Sequence, residues 1–133
     1  MAALFRKLWD KSKDRKPVVV LEGNRKLELA GLKYYEDALR RVVMRNTEER
    51  ARVHFTATVV LEWDNVHDAN AIAIYGEGRM IGHLAREDAA KYRSALETLA
   101  VDSTIQATGI IYAGHHGGKT WRVSVVLPKQ EEM

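Results

Sequence analysis

Residues 53–84 read VHFTATVVLEWDNVHDANAIAIYGEGRMIGHL. The first nine alternate, with Val53, Phe55, Ala57, Val59 and Leu61 on one side and His54, Thr56, Thr58 and Val60 on the other. That is the period of a strand with one buried face. Ala71–Tyr75 and Met80–Leu84 follow as two shorter strands, and Gly76-Glu77-Gly78 between them has the composition of a tight hairpin turn. A polar loop, Asp64–Asn70, separates the long strand from the hairpin.

Working outward, Val18–Leu21 is a β-branched apolar run and Leu27–Leu32 alternates as a strand does. Between them and the long strand, Tyr34–Met44 predicts a helix, because Tyr35, Leu39, Val42 and Val43 share a face while Arg40 and Arg41 lie off it. Residues 46–51 are polar and turn-like. On the other side, Arg86–Leu99 predicts a second helix with Ala89, Tyr92, Leu96 and Leu99 inward. Thr104–Tyr112 and Thr120–Leu127 read as closing strands joined across Gly114-His115-His116-Gly117-Gly118. Short antiparallel strands with two helices predict an α+β, mostly β domain of barrel type. Such barrels avoid bare edges by closing, and several bind single strands on an open face.

The 133 residues suit one domain with one core, and the 46% apolar and 29% charged fractions are those of a globular protein. With no cysteine, disulfides, thiolate metal sites and cysteine nucleophiles are excluded together. No apolar run reaches membrane-spanning length, and the N-terminus lacks the features of a secretory signal, so a cytoplasmic location is expected. The net charge of +3 is unevenly placed: Arg6, Lys7, Lys11, Lys13, Arg15 and Lys16 face only Asp10 and Asp14 in the first sixteen residues. Residues 1–17 therefore read as a basic arm or short helix, in which Leu4, Phe5, Leu8 and Trp9 could line one face. Residues 18–128 read as the domain and 129–133 as a charged tail. The body is close to neutral, so any contact with nucleic acid there has to be local.

Catalytic signatures are missing: there is no phosphate-cradling G-x-x-x-x-G-K-[ST], no H-E-x-x-H and no G-x-S-x-G. Adjacent His115 and His116 in a glycine-rich loop make a poor metal site without a neighbouring acid or cysteine. Asp64, Asn65, Asp68 and Asn70 lack the sharp-turn glycine and closing glutamate of a calcium loop. The expectation is a binding module, not an enzyme, with no cofactor and no metal.

The stretch Asp64–Ile72 is nonetheless more organised than an ordinary loop. Asp and Asn side chains there can cap their own backbone and hold a sharp turn before a buried strand. A rigid turn could also display Asp68 to a ligand hydroxyl, because an ionised carboxylate accepts from a hydroxyl and repels a phosphate.

Ala30-Gly31-Leu32-Lys33-Tyr34-Tyr35, then Leu61-Glu62 leading to Asn65, Asp68 and Asn70-Ala71-Ile72, then Ile81-Gly82-His83-Leu84 form an ordered pattern that resembles the HIRAN domain. The resemblance covers about residues 27–112. It implies a small OB-like β-barrel of about six strands with two helices, and a role in binding the 3′ end of single-stranded DNA, alongside a helicase-like or nuclease protein in repair or processing. By the same resemblance Tyr34 and Tyr35 match residues on the terminal bases, Lys33 one on the backbone, and Asp68 the carboxylate at the 3′-hydroxyl. His83 and Arg86 match groups near phosphates, while Asp64 and Asn65 match polar residues of the binding loop. The chain departs from the pattern at His67, where tyrosine is common, and at Asp64, where a neutral amide can sit. Tyr35 also falls on the apolar face of the expected helix, so it reads equally as a core residue or as a stacking platform.

Two alternatives stand beside that reading. One is an interaction or scaffold domain of the same fold that docks through its N-terminal arm. The other is a small hydrolase using His83 and Asp68, for which no nucleophile with a matched base is readable. A chain of this length leaves no room for a motor or nuclease, so any chemistry is expected from a partner.

Overall fold

The computed structural model describes residues 4–8, 16–45, 52–112 and 121–133. Its strands are β1 (Leu4–Leu8), β2 (Val18–Glu22), β3 (Arg25–Ala30), β4 (Arg52–Leu61), β5 (Ile72–Gly76), β6 (Arg79–Leu84), β7 (Thr104–Tyr112) and β8 (Arg122–Leu127), with helices α1 (Glu36–Arg45) and α2 (Arg86–Ala100). A 3-10 turn, Leu32–Tyr35, precedes α1, and another, Gln130–Glu132, follows β8.

The alternation of β4 does what its period requires. Val53, Phe55, Ala57, Val59 and Leu61 are all buried, and the strand is paired on both sides, antiparallel to β5 and to β7. From there the ring runs β4, β5, β6, β3, β8, β7 and back to β4, every contact antiparallel. This is the closed, OB-like six-stranded barrel that the sequence predicts. The hairpin between β5 and β6 turns on Glu77 and Gly78, both at positive φ (51° and 81°), the backbone of a type I′ turn.

Two strands lie outside the ring. β2 adds in parallel to the start of β7, Val18 opposite Thr104, and β1 pairs antiparallel with β2, Leu4 opposite Glu22. Leu4–Leu8 is therefore extended, and the helical face considered for this segment is not formed. Backbone pairing with β2 wins over a helix too short to stabilise itself. The rest of the expected arm before Lys16, the turn at residues 46–51 and the His115-His116 loop lie outside the described residues.

The barrel interior is filled by aliphatic side chains, among them Ile72, Ile74, Ile81, Ile105, Ile111 and Leu127, all essentially inaccessible to solvent. Each such side chain contributes roughly 1.5–3 kcal/mol on burial. The helices close the two ends. Val42 of α1 lies near Gly76 and Phe55, while α2 sits by the far end of β4 and turns Ala89, Tyr92, Arg93 and Leu96 inward. Glu87 and Asp88 in its first turn complement the helix dipole where no side chain caps Ala85. The hydroxyl of Tyr92 donates to the Pro128 carbonyl at 2.7 Å, and Met133 packs on the core, so the tail after β8 is held to the body. Trp121 also packs against the core.

Candidate functional site

Gly31 ends β3 at φ 75°, ψ 16°, a left-handed conformation that glycine adopts without a side-chain penalty. The Tyr34 amide then donates to the Gly31 carbonyl at 3.2 Å, closing the turn that carries Lys33, Tyr34 and Tyr35. Below it, a side-chain carbon at Gly82 would come within 3.0 Å of Leu32 Cδ2 and 3.1 Å of the Ala30 carbonyl oxygen. The two glycines are one device: the first turns the chain, and the second leaves room on β6 for what has turned.

Tyr34 and Tyr35 therefore belong to the 3-10 turn, not to the helix expected from Tyr34, which begins at Glu36. This separates their roles. Tyr34 projects outward with 74% of its surface exposed, and the Lys33 ammonium lies 5.3 Å from its ring centre. Tyr35 is half-buried, edge-on to Tyr34 at 6.5 Å between ring centres and 6.3 Å from the His83 ring. Burial pushes the Tyr35 phenol above its ordinary range, and Glu62 and Tyr75 act in the same direction. Its hydroxyl therefore stays protonated and able to donate.

The loop between β4 and β5 is held at its neck and at its tip. At the neck, the Glu62 amide donates to the Ala71 carbonyl at 3.0 Å. Arg93, only 5% exposed, donates to the carbonyls of both Glu62 (3.0 Å) and Ala71 (2.8 Å). The same guanidinium pairs with Glu97 at 2.8 Å and lies 4.5 Å from the ring centre of Trp63, which is 70% exposed. At the tip, Asn65 Oδ1 accepts from the amides of His67 (2.9 Å) and Asp68 (3.0 Å), while Asn65 Nδ2 donates to Glu62 Oε1 at 3.2 Å. Asp68 Oδ1 accepts from the Asn70 amide at 2.9 Å, and the Asp68 carbonyl accepts from Ala71 at 3.1 Å. Asp68 Oδ2 lies 3.7 Å from Arg86 Nε, and Arg86 also donates to the His67 carbonyl. His83, on β6 between Ala30 and Ala73, has its Nε2 2.8 Å from Glu62 Oε1.

Between the tyrosine turn and this loop runs an open groove of about 830 Å³, walled by Tyr34, Asn65, His67, Asp68, His83 and Arg86 together with the backbone around Gly31. Six of the nine residues expected at the site thus meet in one place. Lys33 and Tyr35 line an adjoining groove that shares Tyr34 with the first. Asp64 lines neither. Among the described residues no three His, Asp or Glu side chains converge as a metal site requires, and no helix is long and apolar enough to cross a membrane.

Sequence reasoning did not place Glu62, Arg93 or Trp63 at the site. Glu62 stood in the motif without a role, although it joins His83 to Asn65. Arg93 carried a usable signal, since it shares the inward stripe Ala89, Tyr92, Leu96 at helical spacing. A charged residue on such a stripe has to find partners inside the protein.

The fold is a small closed barrel with an open groove lined by aromatic, cationic and acceptor groups. A model of the HIRAN domain family matches residues 23–128, and the chain belongs to that family. HIRAN domains are known generally as DNA-binding domains and are binding rather than catalytic units. Among solved structures, the crystal structure of the HIRAN domain of human HLTF is similar at 16% sequence identity and a TM-score of 0.48, over 83% of this chain and 80% of that one. No curated protein matches the chain.

Proposed function

We propose that this domain captures the free 3′-hydroxyl end of single-stranded DNA and presents it to a partner enzyme of repair or processing, a helicase-like or nuclease protein. One observation carries the reading: an exposed Tyr34 ring and the Asp68 carboxylate stand in the wall of the same groove. Tyrosine faces stack on bases with little sequence preference. Asp68 has Oδ1 committed to its own loop, and Oδ2, 3.7 Å from Arg86 Nε, is the oxygen that would also accept from a terminal hydroxyl. A phosphate at that place would meet a like charge. Lys33 supplies local positive charge where the body as a whole has little, while the charge of Arg86 is offset by Asp68. On this reading residues 18–128 are the barrel unit, and residues 1–17 and 129–133 are its appendages.

The test is a titration of matched oligonucleotides ending in a 3′-hydroxyl or a 3′-phosphate. The hydroxyl end binds more tightly, and Asp68→Asn, which keeps an acceptor for the Asn70 amide but removes the charge, reduces the difference. Equal affinity of the wild-type protein for both ends overturns the proposal.

A further inference from the structure

The second groove, about 500 Å³, runs from Tyr34 along the outer face of β5 and β6 towards their hairpin. We propose that it is the exit path of the bound strand, holding the nucleotides on the 5′ side of the terminal one, with Arg79 as its phosphate contact and Tyr75 as its base contact. The inference rests on the end-recognition reading above and extends the site beyond the residues expected from sequence.

Geometry gives the direction. If the terminal sugar lies by Asp68, the chain can leave only towards its 5′ side, and Tyr34 is the wall common to both grooves. The Lys33 ammonium stands at that crossing, beside the Tyr34 ring. Beyond it, Tyr75 and Met80 are direct partners across β5 and β6 and both line the groove. They supply an aromatic ring and a flexible apolar side chain, a surface that suits a base face of any identity.

The charges agree. Arg79 is exposed at the hairpin and forms no ion pair among the described residues. The two carboxylates of this groove, Glu36 and Asp37, lie 3.3 Å and 3.6 Å from Arg40, which offsets the repulsion they would exert on a passing phosphate. An extended polynucleotide satisfies an alternation of aromatic face and cation along an open track.

The experiment compares a dinucleotide with a hexanucleotide, each ending in a 3′-hydroxyl or a 3′-phosphate, on the wild-type protein and on Arg79→Ala. Wild-type affinity is expected to rise with length. Arg79→Ala should leave dinucleotide binding and the preference for a hydroxyl end unchanged, yet weaken hexanucleotide binding roughly five- to tenfold. It should also lower the log–log salt slope for the hexanucleotide by about 0.7, the value of one phosphate contact on a single strand. A hydroxyl preference without a length gain, or an Arg79→Ala loss equal at both lengths, overturns the exit path alone. Equal binding of the two ends by the wild-type protein overturns end recognition and the exit path together.

Discussion

Glu62 Oε1 lies 2.8 Å from His83 Nε2, so the residue following β4 and the outward side chain of β6 are joined directly. The same oxygen accepts from Asn65 Nδ2, which ties the floor of the groove to the tip of the loop above it.

Replacing Glu62 by Ala should therefore affect both places. It leaves the half-buried His83 ring and the Asn65 amide without their acceptor, a loss of about 1–2 kcal/mol of stability. Glu62→Gln retains an acceptor oxygen and should cost less. Urea denaturation measures the difference, and hydrogen exchange at the His67 and Asp68 amides should quicken in Glu62→Ala.

The two tyrosines should separate stability from binding. Tyr34→Ala removes an exposed ring, so its unfolding midpoint should stay near that of the wild-type protein while affinity for single-stranded DNA falls by roughly 1–3 kcal/mol. Tyr35→Ala removes a half-buried ring and should lower both. Paired denaturation and fluorescence titrations check this.

Arg93→Met keeps the length of the side chain but withdraws the donor from the Glu62 and Ala71 carbonyls. Charge-assisted hydrogen bonds of this kind are each worth about 1.5–3 kcal/mol, so a loss of roughly 3–6 kcal/mol is expected for the two. Trp63, released from the guanidinium, should report the change in its emission spectrum.

Stability should decline at alkaline pH. Burial pushes the Tyr92 phenol above its ordinary value of 10.0, with Asp88, Glu131 and Glu132 adding to the shift and Arg25 opposing it. Since the folded state holds this proton more tightly than the unfolded chain, the contribution is complete below pH 10.0 and is lost as pH rises through the folded value. Tyr92→Phe should flatten that decline while costing about 1 kcal/mol at neutral pH through the missing bond to Pro128. Denaturation midpoints across the alkaline range test both parts.

The local pieces of this fold are written in short periods. Val53–Leu61 could be nothing but a half-buried strand, and the Arg86 helix declared both its start and its face. What joins the pieces was harder to read. Leu27 of β3 pairs opposite Val125 of β8, and no local pattern marks two segments so far apart as neighbours. Leu4, Phe5, Leu8 and Trp9 have the spacing of a helical face, and the pairing of Leu4–Leu8 with β2 overrode it. At the site, the residues singled out by the resemblance to the HIRAN domain brought most of the groove into view. Tyr35 was legible only once the turn at Gly31 set its angle. Arg93 was hidden by its own charge, which argues for the surface until its carbonyl partners are seen.

The double grip of Arg93 on the loop neck has a consequence for how such domains diversify. The anchoring comes from a helix outside the barrel wall, and Val66, His67 and Ala69 between the anchors are not part of the interior core. Of these, His67 lines the groove, so substitution there would alter the groove wall without repacking the barrel. Frame and fingertip can then evolve at different rates, as in an antibody domain, where a conserved sandwich carries hypervariable loops.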